Sequence, residues 1–200
     1  IPSPIIYADF VSFTTYKTMT GGRGGVILCK KEYADAVDKA VFPGTQGTTA
    51  VSNIAGKATI AKLAKEANFI NVQRKTLDSA KLLAAELAEK GYRLVGGGTD
   101  THQVLVDVTT KWLSGSQAEK TLESIGIVTN RNYIPKDTGK IASGLRLGTG
   151  PISVRGIDKD YVIQIANIID NALMARDNQE VLSKLKRNVL DICKQFPVYR

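Results

Sequence analysis

The sequence predicts an α/β chain, and three observations carry that prediction. "DFVSFTT" and "GVILCK" are short strand-like runs separated by a glycine-rich loop. From Thr49 to Lys90 the apolar residues recur at helical spacing. Beyond Gly91 the period drops to two, and it returns to helical over the last 45 residues.

Taken in order, "DFVSFTT" alternates apolar and polar residues, as a half-buried strand does. "YKTMTGGRGG" joins it to "GVILCK" and makes the pair a hairpin. "KEYADAVDKAV" reads as a short helix, and "FPGTQGTT" as a loop punctuated by Pro and Gly. A helix opens near Thr49, with Val51, Ile54, Ala58, Ala61 and Lys65 on one face. A second covers roughly Val72 to Lys90 and stops at Gly91, a natural C-terminal cap. "YRLV" and "QVLVDV" are strands around the turn "GGGTDT". "SQAEKTLESIG" predicts a helix with a capping box of Ser116 and Glu119. "IVTN" reads as a short strand, and "GLRLGTG" as an extended segment ending in glycines. Two amphipathic helices close the chain. One carries the stripe Val162, Ile165, Ile169, Leu173, and the other Leu182, Leu185, Val189, Ile192. A boundary near residue 70 divides a strand, loop and helix region, 1–70, from a helix and strand unit, 71–200.

Two hundred residues can bury a core without staples. Two distant cysteines, Cys29 and Cys193, make no disulfide framework, and a reducing, cytoplasmic location is expected. No apolar run approaches the roughly 18 residues of a membrane span. "IPSPIIYADF" lacks a basic start and a small-residue cleavage site, so no signal peptide is expected. The absence of an initial Met leads us to expect a processed or internal piece. The net charge of +8 raises the question of nucleic acid. The lysines, however, are dispersed along helices and alternate with acids, as in "KTLDSAKLLAAELAEK", which is the pattern of a solvated face. Neither nucleic acid nor membrane is therefore expected as a partner.

Chemistry is sparse. His102 is the lone histidine and has no cysteine near it in sequence, so no metal site is expected. "GGRGG" lacks the lysine and spacing of a P-loop. What remains is Lys17, set between a threonine-rich strand and the glycine loop, and two arginines. Arg23 lies inside that loop, and Arg146 lies among small residues in "SGLRLGTG". Lysine near another cation can serve as a Schiff-base amine. Arginine can grip a carboxylate with two parallel hydrogen bonds. The other reading of the same residues is a solvated turn lysine and two structural ion pairs, and spacing alone leaves both open.

The residues in order resemble one family. "PSPIIYADFVSFTTYKTMTGGRGGVILC" resembles the Schiff-base lysine segment of serine hydroxymethyltransferases, which are fold-type-I pyridoxal-phosphate enzymes. "VFPGTQG" is similar to their "FPG-QGG" loop, and "GYRLVGGGTDTHQVLVDV" to their "GGTDNH-LVD" turn. "VTNRNYIPKD" is similar to "N-N-IP-D", and "SGLRLGTGPISVRG" to the arginine-bearing "SG-R-GTPA-T-RG". "VLDICKQFPVYR" resembles the family's C-terminus.

The resemblance implies the end of the large cofactor-binding domain, a hairpin plus long helix, followed by a small α+β domain. It implies that Lys17 holds pyridoxal 5'-phosphate covalently and that Arg146 binds the α-carboxylate of serine or glycine. Thr14, Thr15 and Tyr16 would line the cofactor pocket, and Arg23 would support the lysine loop. Gly47 and Thr48 would reach the cofactor phosphate of a neighbouring subunit, which implies a dimer. The implied reaction is an aldol-type cleavage or transfer at Cα, with tetrahydrofolate as an optional co-substrate. The family's first half has no counterpart here, so a complementary N-terminal chain is expected to supply it. Three departures stand out. Tyr16 replaces the family's histidine, Thr48 and Thr49 replace glycine and proline, and "GTGP" replaces "GTPA". They leave room for a threonine aldolase or transaldolase. A non-catalytic assembly subunit is the reading from another class.

Overall fold

The computed structural model describes residues 3–199. The chain divides into two compact units, one ending at Asn71 and the other beginning at Val72.

In the first unit, β1 (Phe10–Thr14) and β2 (Gly25–Cys29) form an antiparallel hairpin with Phe10 opposite Cys29 and Thr14 opposite Gly25. This is the hairpin that the alternation predicts. After it come a single-turn 3-10 helix (Lys31–Tyr33) and α1 (Ala34–Lys39). The segment read as a loop from Phe42 onward begins instead inside a wide helical turn, Ala40–Thr45. The helix α2 (Val51–Leu63) follows. Its predicted apolar stripe is not buried in this chain: Val51 and Ile54 are exposed, and Ile60 is the one buried residue of the helix.

α3 (Ala67–Glu89) starts five residues before the predicted Val72. It ends as expected at Gly91, which holds φ +83°. The second unit then builds a four-stranded antiparallel sheet in the order β3-β4-β6-β5, from β3 (Arg93–Leu94), β4 (Gln103–Asp107), β5 (Asn130–Asn132) and β6 (Gly144–Gly148). One face of the central pair is apolar. Val104 and Val106 on β4 and Leu145 and Leu147 on β6 share a core with Leu83 and Leu87 of α3. α4 (Gly115–Ser124), α6 (Lys159–Met174) and α7 (Gln179–Gln195) complete that core. Of the two C-terminal stripes, Val162, Ile169, Leu173, Leu182, Leu185 and Ile192 are buried, and Ile165 and Val189 are partly buried against the same core.

Three boundaries differ from the reading of the sequence. The capping box of α4 uses Ser114 and Gln117, two residues before the expected pair. Glu119 is engaged elsewhere, bonded to the Arg131 backbone and guanidinium. β5 begins at Asn130, where "IVTN" ends, and Val128 is exposed. The glycines after β6 lead into a short helix, α5 (Gly150–Val154), opened by Pro151.

Thr149 ties these pieces together. Fully buried, it donates its hydroxyl to Thr76 O on α3 (2.7 Å) and its amide to His102 O (3.0 Å). The end of β6 and the loop entering β4 are thereby fixed to one helix.

Candidate functional site

The candidate residues fall in both units, and each group has its own geometry. In the first unit Lys17 lies three residues past the end of β1, and its carbonyl accepts from the Thr20 amide in a tight turn (2.9 Å). The loop is closed by Thr15, which is buried. Its amide donates to Gly24 O (3.1 Å), its hydroxyl donates to Gly22 O (2.6 Å), and its carbonyl accepts from the Gly21 amide (2.7 Å). The hydroxyl of Thr15 is thus spent on the loop, whereas Thr14 on β1 is exposed.

The glycines permit a close approach of α2. A Cβ on Gly22 would sit 2.5 Å from Asn53 O, and one on Gly56 would sit 3.1 Å from the Gly22 backbone. Lys57, one turn along α2, donates to Gly25 O (3.2 Å). The loop is therefore pinned to the helix by backbone contact that no other residue type allows.

Tyr16 gathers the cations of this loop. The Arg23 Cζ lies 4.9 Å and the Lys17 Nζ 5.8 Å from its ring centroid, within cation–π reach. Tyr16, Lys17 and Arg23 are thereby brought together. Among the described residues the Lys17 amine has no hydrogen bond or ion pair, and the residue is exposed. Gly47 and Thr48 lie in an exposed loop before α2, and a Cβ on Gly47 would meet nothing within 4 Å.

In the second unit Arg146 projects from the middle of β6, between the buried Leu145 and Leu147, with its own side chain exposed. It borders a cavity of about 270 Å³ whose lining includes Thr99, Thr101, Gln103, Leu105 and Asn132. Its same-face neighbours along the strand are small, but its neighbour across the sheet is not. Arg146 Nε donates to Asn130 Oδ1 on the neighbouring strand (3.0 Å). No carboxylate among the described residues pairs with it, whereas nearby Arg131 is neutralised by Glu119 at 2.8 Å.

The polar loop lining this cavity is organised from within. Thr99 Oγ1 donates to Gln103 O (2.6 Å) and accepts from the Thr101 amide (3.1 Å). At the foot of the sheet Asp107 is buried and accepts from Arg93 Nε (2.8 Å), the Thr109 amide (2.9 Å) and the Thr109 hydroxyl (2.7 Å). Burial pushes its pKa up, but those bonds and the Arg93 charge outweigh it and hold the carboxyl below the usual range. In the loop before β6, Asp137 accepts from the amides of Ser143 and Ile134 (2.9 Å each), and the Ser143 side chain together with these two amides holds its carboxyl down as well.

Sequence reasoning missed Asn130, Asn132, Thr99, Thr101 and Gln103. The segment "VTNRNYIPKD" was available as a signal for the two asparagines, but their placement depends on strand register. Among the described residues no three His, Cys, Asp or Glu side chains are grouped to hold a metal ion. Compared with known proteins, the chain matches a family model described as "Serine hydroxymethyltransferase" over residues 1–169. That span includes both groups of candidate residues. The similarity of "VLDICKQFPVYR" to the family's C-terminus lies beyond it.

Proposed function

The chain belongs to the serine hydroxymethyltransferase family, and from that premise we propose that it supplies Lys17 and Arg146 to a pyridoxal-phosphate-dependent transferase acting at Cα of serine or glycine. The family implies a transferase that uses pyridoxal phosphate. The finer reading concerns which residues of this chain serve it. Pyridoxal phosphate, when bound, supplies an electron sink for bonds at the substrate's Cα.

The observation that carries the proposal is the Lys17 amine, unpaired among the described residues and held beside Tyr16 and Arg23 on a loop locked to α2. Such an amine fits an aldehyde. It is not committed to a carboxylate, and its backbone is fixed by the Thr15 and glycine contacts. Lys17 would hold the cofactor through Nζ. Arg23 and Tyr16 would keep the turn in one conformation, with the aromatic ring taking the place of the family's histidine. Arg146, with no competing carboxylate, would grip the substrate's carboxylate and fix the amino acid by that end. The exposed Gly47 and Thr48 loop would serve a phosphate oxygen of a neighbouring subunit. A complementary polypeptide and a dimer of the assembled enzyme belong to the same proposal.

The test is chemical. The assembled protein, loaded with pyridoxal phosphate and reduced with borohydride, should carry one phosphopyridoxyl group on Lys17 by peptide mass spectrometry. Lys17→Ala should abolish the adduct without changing the circular dichroism. An adduct on another lysine overturns the assignment of Lys17. A protein that takes up no cofactor at all is instead the non-catalytic homologue.

A further inference from the structure

We propose that Asn130 is the residue that positions Arg146 for a carboxylate, and that it does so because its acceptor is neutral. The inference rests on the reading of Arg146 as the carboxylate-binding residue. In the antiparallel register Asn130 lies directly opposite Arg146 on β5, and Leu105 lies opposite it on β4. Directly opposed residues point to the same face of a sheet, with Cβ atoms about 5 Å apart. The guanidinium is therefore flanked by an amide on one side and an apolar wall on the other.

The amide is itself oriented. Asn130 Nδ2 donates to Arg131 O (3.1 Å), which turns Oδ1 toward Arg146, and Nε of Arg146 donates to it (3.0 Å). A guanidinium has five N–H donors in a rigid plane. With Nε bound, the side-on approach through Nε is closed, and the end-on pair of NH groups remains for a bidentate partner. Asn130 is not among the residues lining the cavity, whereas Arg146 and Asn132 are. It acts on the ligand only through the arginine.

The chemistry of the side chain matters as much as its place. An amide oxygen fixes the guanidinium plane without cancelling its charge, so the full attraction for an incoming carboxylate survives. Aspartate has the same shape, but its carboxylate at Nε would pair with the guanidinium and cancel the charge that an incoming carboxylate needs. The pairing is thus a preorganised, uncompensated cation, and its ordering cost is met before the ligand arrives.

The experiment uses the full chain labelled with 15N-arginine. The Arg146 Nε–H resonance is assigned by its loss in Arg146→Lys, and acetate, a bare carboxylate, is titrated in. Wild type should show a slowly exchanging Nε–H that shifts on acetate binding. Asn130→Ala should speed that exchange at least about tenfold. It should raise the acetate half-saturation about fivefold, the equivalent of one hydrogen bond. Asn130→Asp should keep the spectrum and melting temperature of the fold but lose acetate binding, an outcome a merely structural asparagine would not produce. If wild type binds acetate and both variants bind it equally well, the positioning role is overturned and the reading of Arg146 stands. If acetate leaves the wild-type Arg146 signal unmoved, that reading falls and this role falls with it.

Discussion

Asp107 is the most heavily bonded carboxylate of the sheet. It sits at the end of β4, nearly without solvent contact, and three hydrogen bonds and the Arg93 charge converge on it. Its folded pKa is depressed, so the unfolded chain binds its proton more readily than the folded one does. The stability it contributes is present above the ordinary carboxylate pKa of about 3.9 and is lost as pH falls through its depressed folded value. Asp107→Asn keeps the shape but turns an NH₂ toward Arg93 or toward the Thr109 donors. It should destabilise the chain by about 1–3 kcal/mol near neutral pH. The loss should shrink as the pH is lowered, because wild type forfeits the same contribution. Urea denaturation at a series of pH values reads both effects. A constant difference down to the acid limit would show that the charge of Asp107 does not matter.

Between residue and fold, the glycine loop and α2 form one piece. Gly22 meets the backbone oxygen of Asn53, and backbone cannot swing aside as a side chain can. Gly22→Ala should therefore push the loop off the helix at a cost of about 1–3 kcal/mol, and it should loosen the turn that carries Lys17. Gly47→Ala is the control: its Cβ would meet nothing within 4 Å, so stability should be unchanged. Hydrogen exchange of the loop amides, with the Gly21 amide bonded to Thr15 O as reporter, distinguishes the two. Equal protection in both variants would remove the close approach as the reason for glycine here.

Elements also show what could be read from the letters. The β1–β2 hairpin and the stripes of α6 and α7 were legible because periodicity records burial directly. The start of α4 was not. Ser114-x-x-Gln117 and Ser116-x-x-Glu119 both match a capping box, and the choice is made by tertiary structure, which draws Glu119 to Arg131 and the Gly115 amide to Ala142 O (2.8 Å). α5 was hidden by the glycines around Pro151. Arg146 stood out by its small neighbours, and Lys17 by its glycine loop. The partner Asn130 lies 16 residues away from Arg146 and faces it only through the register of β5 on β6. Local sequence carries no such pairing.

At the scale of the whole molecule, burial is unevenly shared. The core of the second unit runs through four helices and the sheet. Among the described residues up to Asn71, only Thr15 and Ile60 are buried, while Ile6, Tyr7, Phe42 and Val51 are between 62% and 82% exposed. The two-stranded sheet has no further strand on either side within the described residues. A hairpin of two strands is marginal in water, and open edges with apolar faces invite pairing. Each of those side chains would gain about 1.5–3 kcal/mol by full burial, so covering all four contributes an amount of the same order as the entropy of association, put at roughly 4–15 kcal/mol. The first unit should accordingly acquire its core from a complementary polypeptide. Purified from cells that make both chains, the protein should elute as a complex. Its hairpin amides should exchange slowly there and fast in the chain alone, while the β4 and β6 amides stay protected in both. A stable 21.6 kDa monomer by light scattering, with hairpin amides as protected as those of the β4–β6 sheet, would sink this expectation.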